Sequence, residues 1–358
     1  MNFIFFKKHV LCFRVLFAAV FLRQAAAQDL HFSQFYMSPL TQNPALTGAV
    51  YDMQAIINYK DQWQSIGTPY NTYAFSFDMR LTNKKHRKGF WAAGINAFSD
   101  KAGDAHMGLA QANLSAAYHI HLNLNNTLGA GLQAGFAQRS ISSASLQWGT
   151  QFNGSAYDPS MPSMEQNISS AYSYADLGGG VVWHYNNTAG AKNVTGNHDL
   201  KFTVGAAVFH PQQPRYSYFN SGDRLYMKMV LHGDALISIP QTHLAIVPGF
   251  MFCRQGNTQE VYFGTRLRYK LRQDSKYTGF AKGAAISLGA YYRAADAVAA
   301  VLLLEYSNYS FGFSYDLNTS PLRTASGLRG GMEVTLRFVT PNPFLKGSSS
   351  SILYQETP

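Results

Sequence analysis

The stretch Tyr309-Ser-Phe-Gly-Phe-Ser-Tyr-Asp316 decides the fold of this chain. Large apolar rings stand at every second position and small or polar residues stand between them, so a β-strand here has one apolar face and one polar face. About fourteen segments of roughly ten residues alternate in this way, and no helical pattern competes with them. The repetition predicts an all-β fold: a transmembrane, antiparallel, up-and-down β-barrel of about 14 strands.

Composition favours a membrane around the apolar faces. Charged residues make up only 13% of the chain, which also carries 22 Tyr and 25 Phe; soluble domains usually contain about 25% charged residues. No stretch after the leader approaches the ~20 consecutive apolar residues of a spanning helix. A soluble β-sandwich would need a two-layer core to bury so many rings, and the internal repeats of a propeller are not visible.

Residues 1–27 resemble a secretory signal peptide. A basic start, an apolar stretch over 15–22 and an A-x-A site ending at Ala27 predict cleavage before Gln28. Four cations leave with the leader and lower the formal net charge from +10 to +6, namely Lys7, Lys8, Arg14 and Arg23. A nucleic-acid partner thereby loses its main support. Cys253 remains as the only thiol, so the mature chain has neither an intrachain disulfide nor a thiolate metal cluster.

The even number of strands predicts that both ends of the barrel lie on one side, which secretion through the inner membrane makes the periplasmic side. We therefore expect an N-terminal periplasmic or plug segment at 28–50, the barrel at 51–340 and a periplasmic tail at 341–358. Long connections at 139–172 and 211–224 are expected outside the cell. The candidate strands are Gln54 to Lys60, Thr72 to Leu81, Phe90 to Phe98, Gly108 to Leu122, Thr127 to Ser140, Ser173 to Tyr185, Leu200 to His210, Leu225 to Ile239, His243 to Arg254, Glu260 to Leu271, Ala284 to Arg293, Ala297 to Tyr306, Tyr309 to Leu317 and Gly331 to Val339.

Strand parity also predicts a polar lumen with charges of both signs. The charged residues on inward parity are Asp78, Arg80, Arg266, Arg268, Lys270, Asp316, Glu333 and Arg337. These charges either present an electrostatic surface to a translocating or docked partner or form an internal salt-bridge lattice that braces the wall. A barrel of about 14 strands is too wide to be filled by its own wall, so it needs a pore or a plug. Residues 29–50 are the candidate plug.

Three blocks of sequence carry a family resemblance. They are Asp29-Leu-His-Phe-Ser-Gln-Phe-Tyr-Met-Ser-Pro-Leu-Thr-Gln-Asn-Pro-Ala-Leu-Thr-Gly48, then Tyr59-Lys-Asp-Gln-Trp63 followed by Gly67 and Pro69, and Tyr315-Asp-Leu-Asn318 with Gly330, Gly331 and Glu333. Together they bracket nearly the whole mature chain, which resembles the PorP/SprF family of type IX secretion system outer-membrane proteins. In the second block, Lys60 and Asp61 stand where that family usually has Arg.

The resemblance implies a role in protein secretion. Barrels of this family serve the export and surface attachment of client proteins with a C-terminal sorting domain, including gliding adhesins. They associate with periplasmic peptidoglycan-linked and motor components, which we expect at the periplasmic rim, the N-terminal segment or the tail; lipid surrounds the barrel. Candidate partner-binding or plug residues are Phe32, Ser33, Gln34, Asn43, Pro44 and Trp63. Structural roles are open for each: Asn43-Pro44 favours an extended or turn geometry, and Trp63 suits an aromatic girdle.

No sequence pattern predicts an enzyme or a cofactor site. A G-x-S-x-G elbow, an H-E-x-x-H pair, a P-loop and a Cys/His ligand set are all missing from the sequence. His119 and His121 share one strand face, but two imidazoles without further ligands are usually ordinary surface histidines. We therefore expect no catalysis, no metal and no cofactor. The alternative to a secretion role is an outer-membrane porin or hydrophobic-solute transporter.

Overall fold

The computed structural model describes residues 29–65, 67–81, 88–103, 105–142, 146–164, 170–187, 200–218, 222–272, 283–321 and 323–340. In this part of the chain, fourteen antiparallel strands form one closed barrel in which each strand pairs with its sequence neighbours and β1 pairs with β14. The predicted all-β barrel of about 14 strands is confirmed. The strands are β1 Met53–Gln62, β2 Tyr70–Arg80, β3 Gly89–Ala102, β4 Met107–His121, β5 Asn126–Ser140, β6 Ala171–Asn187, β7 Leu200–Phe209, β8 Lys228–Ser238, β9 Leu244–Gln255, β10 Thr258–Arg272, β11 Ala284–Arg293, β12 Ala297–Tyr306, β13 Tyr309–Asn318 and β14 Arg329–Thr340.

Most predicted strand bounds agree with the observed ones to within a few residues. The start of β8 is displaced: the alternation begins at Leu225, but the strand begins at Lys228. Leu225 belongs to the preceding loop, because its N–H donates to the Pro214 carbonyl at 2.9 Å and its side chain is buried. The predicted signal peptide at 1–27 and tail at 341–358 lie outside the described residues. No helix in the described ranges is long and apolar enough to cross a membrane.

The two faces of each strand differ in the way the alternation predicts. On β13, Phe311 and Phe313 are exposed on the outside at 42% and 36%, whereas Ser314 faces inward and is fully buried. On β10, Phe263 and Leu267 likewise point outward. The outer surface is therefore apolar and suited to lipid, and the polar side chains are gathered inside.

The barrel has two rims, which we call upper and lower. Odd-numbered strands end at the upper rim, and even-numbered strands end at the lower rim, where β1 begins and β14 ends. The two longest connections, 141–170 and 210–227, both join strand ends at the upper rim. At the lower rim, Ser307 and Asn308 alone join β12 to β13, with Ser307 at φ 53°. A left-handed residue lets a two-residue turn follow the twist of the sheet.

Candidate functional site

The N-terminal segment, residues 29–50, lies inside the barrel. It begins at the upper rim, where the Asp29 N–H donates to Gln255 Oε1 at 3.1 Å. It reaches the lower rim just before Asp52, whose carboxylate pairs with Arg80 at 3.0 Å. Its regular elements are short, namely 3-10 turns at Phe35–Met37 and Pro44–Leu46 and one α-helical turn at Pro39–Gln42.

This path separates the two ends of the described chain. Asp29 lies at the upper rim, whereas Thr340 pairs with Met53 at the lower rim. The two ends of the barrel itself share the lower rim, as the even number of strands predicts. The periplasmic placement of both termini stays a prediction, because the strand count carries no information about a segment that crosses the lumen before β1.

Ser33 and Gln34 are held by carboxylates of the last two strands. Glu333 accepts the Ser33 N–H at 2.7 Å and the Gln34 N–H at 3.1 Å, and Asp316 accepts the Ser33 hydroxyl at 2.8 Å. Arg293 approaches the same carboxylate oxygen of Asp316 at 3.2 Å. All of these groups are buried, so these lumen charges satisfy the backbone of the segment.

Phe32 and Phe35 bring apolar contact to the same part of the segment. The Phe35 ring meets Tyr291 edge-on at a centroid distance of 5.3 Å and packs with Val230 and Met251. Phe32 is buried beside it, in the cleft that the segment forms with β8 and β9. The lumen thus contains a small hydrophobic core of its own, in which such edge-to-face pairs contribute about 0.5–1.5 kcal/mol each.

Asn43, which precedes Pro44, connects the middle of the segment to β6 and β8. Asn43 has the extended backbone predicted for a residue before proline, with φ −160° and ψ 120°. Its Nδ2 donates to the Val181 carbonyl at 2.9 Å and lies 3.1 Å from His232 Nε2. Its Oδ1 accepts the Ala45 N–H at 2.9 Å. One amide side chain therefore bridges the turn and the wall.

Inward-facing glycines make room for the segment. A Cβ at Gly131 would lie 2.6 Å from the Ala45 backbone, and a Cβ at Gly312 would lie 2.2 Å from Gln34 Oε1. Both distances are shorter than any van der Waals contact. At Gly131 the contact is with backbone, so only glycine lets the segment approach the wall this closely there. The wall and the segment are shaped to each other.

Asp78 and Arg80 hold the segment where it leaves the lumen. The Asp78 carboxylate accepts the Gly48 N–H at 2.7 Å, and Arg80 donates to the carbonyls of Gly48 at 2.8 Å and Ala49 at 3.0 Å. Gly48 adopts φ 64°, and a Cβ there would lie 2.5 Å from the Ala92 Cβ. Both the torsion and the close contact require glycine.

The remaining predicted lumen charges lie in different surroundings. Arg266 places its guanidinium 3.6 Å from the centre of the Tyr36 ring, and Arg337 donates to the Tyr36 carbonyl at 2.7 Å. Arg268 pairs with Glu305 at 2.6 Å. Lys270 lies on the same inward parity and is half-buried. Arg268 thus forms an ion pair within the wall, whereas Arg266 and Arg337 contact the N-terminal segment of the same chain. An electrostatic surface for a partner stays a prediction.

Trp63 lies apart from the other candidate residues. It follows β1 at the upper rim, where its N–H donates to the Gly330 carbonyl at 2.9 Å and its ring lies 4.7 Å from that of Tyr70. The sequence grouped Trp63 with the N-terminal residues only because the family blocks contain it.

Wall histidines also contact the segment, and sequence reasoning missed them. His119 is 1% exposed, with Nε2 2.8 Å from the Thr47 carbonyl and its ring stacked on Phe90. The expectation of an ordinary surface histidine at 119 is wrong, because inward parity buries this side chain against the segment. Parity was the available signal. In the described part of the chain, no group of three His, Cys, Asp or Glu side chains could hold a metal ion.

His210 lies between two carboxylates at the upper rim. Its Nε2 is 2.7 Å from Asp29 and its Nδ1 is 2.6 Å from Asp176. Burial opposes the charge of the ring, but hydrogen bonds to both carboxylates outweigh it and raise the pKa of His210 to about 9. Burial would raise the pKa of Asp29, yet Lys228 and His210 hold it well below its usual value. A charged His210 therefore fastens the start of the described chain to the wall.

The family model described as type IX secretion system membrane protein PorP/SprF matches residues 24–338. The chain belongs to this family. The resemblance seen in the three sequence blocks is confirmed. Together with the closed barrel, membership makes this PorP/SprF protein an outer-membrane barrel of the type IX secretion system.

Several solved structures are similar to this PorP/SprF barrel. A FadL homologue of Pseudomonas aeruginosa matches with 10% identity over 83% of this chain and 92% of that chain, at a TM-score of 0.44. The monoaromatic hydrocarbon channel CymD matches with 10% identity over 89% and 95%, at 0.43. BamA of Haemophilus ducreyi lacking POTRA domains 1–3 matches with 11% identity over 80% and 70%, at 0.39. Likeness at this level says nothing about a solute or a client. No curated protein sequence matches the chain.

Proposed function

We propose that this PorP/SprF barrel supports type IX secretion by docking other proteins at its rims, with its lumen plugged by the N-terminal segment. The observation that carries the proposal is the close fit of the segment to the wall, with Gly131 against Ala45 and Gly312 against Gln34. A lumen occupied in this way leaves the rims and loops for a protein partner. Docking requires no catalytic group, and we also propose that the barrel is not an enzyme.

The two rims suit two kinds of partner. We assign the upper rim to the cell exterior, because long connections in outer-membrane barrels face outward and tight turns face the periplasm. A client with a C-terminal sorting domain would meet the upper rim, including gliding adhesins if the organism has them. There, Arg139 lies 4.5 Å from the centre of the Tyr216 ring, and Tyr172 packs edge-on against Tyr216. The lower rim and the tail would meet peptidoglycan-linked and motor components.

The alternative, a porin or hydrophobic-solute transporter, needs an open path through the barrel. Planar-bilayer recording of the full mature chain, combined with affinity isolation from gently solubilised outer membrane, separates the two functions. We expect co-isolation of secretion components or of a client sorting domain, and no steady single-channel conductance.

A loosened variant provides the matched control. Gly131→Val should push the segment away from the wall, whereas Ala130→Val changes the outward neighbour on the same strand. Conductance that appears only with Gly131→Val supports a plug. Steady conductance of the unaltered protein, with no secretion component co-isolated, would favour the transporter.

A further inference from the structure

The seam between β1 and β14 differs from every other strand pair of the barrel. All other neighbours in the sheet are consecutive in the chain, whereas β1 and β14 are its first and last strands. Asn58 and Thr335 face each other across this seam and are 277 residues apart in sequence. Closing so long a loop costs more chain entropy than forming a hairpin. The β1–β14 pairing is therefore the one that local sequence contacts favour least.

The N-terminal segment runs along the inside of this seam. The inward-facing partners across it are Lys60 with Glu333, Asn58 with Thr335, and Ile56 with Arg337. Each of these three pairs contributes at least one side chain that hydrogen-bonds to the backbone of residues 31–37. No such bond depends on the identity of a segment side chain.

The β1 side of the seam holds the segment by two donors. Lys60 Nζ donates to the His31 carbonyl at 2.8 Å, and Asn58 Nδ2 donates to the Met37 carbonyl at 3.3 Å. Asn58 Nδ2 also lies 3.0 Å from the Thr335 hydroxyl. The Lys60–His31 and Asn58–Met37 hydrogen bonds join residues only 29 and 21 positions apart. They can therefore form while the rest of the barrel is still unpaired.

Strand β14 supplies the remaining hydrogen bonds to the segment. Glu333 accepts the Ser33 and Gln34 N–H groups, and Arg337 donates to the Tyr36 carbonyl. These contacts span 300, 299 and 301 residues. A slip of β14 by one residue would turn Glu333 and Arg337 toward lipid, and a slip by two would move both away from their partners in the segment. The bonds are thus specific to one register.

We propose that residues 31–37 are a closure template: docked on β1, they capture β14 and set the register in which the barrel closes. This role is separate from the docking function, because it concerns how the barrel forms. It also gives a structural role to Lys60, which departs from the usual family residue and is buried at the seam with its Nζ donating to the segment.

The test is refolding of the full mature chain from urea into detergent micelles, with closure followed by disulfide formation in a Cys253→Ser background. The seam reporter is the pair Ile57→Cys and Leu336→Cys, which face each other on the outside. The pair Leu304→Cys and Phe311→Cys reports β12–β13 in the same way. The pair Ile57→Cys and Val334→Cys reports a register slip of two.

We expect Glu333→Gln combined with Lys60→Met to slow the seam cross-link by about tenfold, since these two side chains together make three hydrogen bonds to the backbone of the segment. The slip reporter should gain and the β12–β13 cross-link should keep its rate. Asn43→Ala, which loosens the segment from β6 and β8 but not from the seam, should leave the seam rate unchanged. If the double variant does not fold, Arg337→Met provides the same comparison with one bond lost.

Two results would overturn the proposal. The seam cross-link could form at the unaltered rate in the charge variants, which would make the contacts a consequence of closure. Alternatively, both native cross-links could slow by the same factor, which would indicate general destabilisation. A gain of conductance or a loss of partner binding in Asn43→Ala, with an unchanged seam rate, would bear on the proposed function and not on closure.

Discussion

The outer and inner faces of the same strands follow different rules. Outside, Phe311 and Phe313 need only be apolar, because fluid lipid accepts many shapes. Inside, Gly312 on the same strand lies against Gln34 of the folded segment, and Ser314 is fully buried opposite Glu333. The outer face is specified by its apolar composition, and the inner face by close packing against the N-terminal segment. Substitutions at neighbouring positions can measure this difference.

The largest expected effect compares Phe313→Arg with Ser314→Arg. Phe313→Arg places a charge in lipid and should lower the free energy of unfolding by ~2–4 kcal/mol if Phe313 lies near the midplane. Parity alone predicts a much smaller effect for Ser314→Arg, on the assumption of a wet lumen. Because Ser314 is fully buried opposite Glu333, we expect an effect comparable with that of Phe313→Arg. Urea unfolding in liposomes measures both. A nearly neutral Ser314→Arg would show that water fills this part of the lumen.

A smaller effect is expected where a wall glycine touches the backbone of the segment. Gly131→Val should destabilise the barrel by ~1–3 kcal/mol, because it overpacks the contact with Ala45. Ala130→Val, on the outward face of the same strand, should change stability by less than about 0.5 kcal/mol. The same unfolding assay compares the two. Equal effects of the two substitutions would mean that the segment shifts to accommodate the larger side chain at position 131.

Gly48→Ala tests the turn by which the segment leaves the lumen. The left-handed torsion and the contact with Ala92 together should cost ~1–2 kcal/mol. Gly67→Ala is the matched control, because Gly67 is exposed and a Cβ there meets no atom within 4 Å. Thermal unfolding compares the pair. A control that loses as much stability would contradict the role of the turn.

The smallest effect on global stability is expected from pH at the upper rim. The pKa of His210 is raised from its usual 6.5 to about 9, so its contribution is complete below pH 6.5 and is lost as the pH rises through 9. The end of the segment can detach locally, which limits the global loss to about 1 kcal/mol. Protease cleavage near Asp29 should therefore accelerate above pH 9 in the unaltered chain. His210→Gln should remove this pH dependence, and exposed His243→Gln should not; an unchanged profile in His210→Gln would show that another group controls release.

Sequence reasoning succeeded where the physical rule is local. The alternation through Tyr309–Asn318 recurs in strands such as β10, and there its period alone assigns each residue to a face. The bounds of β11 and β12 were predicted to the residue. The start of β8 was not, because Leu225 hydrogen-bonds to the Pro214 carbonyl and belongs to the preceding loop. No pattern in the local sequence predicts that contact.

The sequence named residues of the candidate site but did not show how they are arranged. Ser33, Asn43 and Glu333 were all named, but their partners were not, since parity assigns a face and not a neighbour. His119 and His232 show the same gap from the other side: both are inward by parity, and only the folded segment gives them a partner.

The sequence by itself determined a membrane-facing barrel of about fourteen strands and the family to which it belongs, because two-residue periodicity and short family blocks are properties of neighbouring residues. Only the tertiary structure decided that residues 29–50 cross the lumen and that their backbone joins β1 to β14. Those contacts connect groups as many as 301 residues apart. They depend on the diameter and register of the closed barrel, which no local pattern encodes.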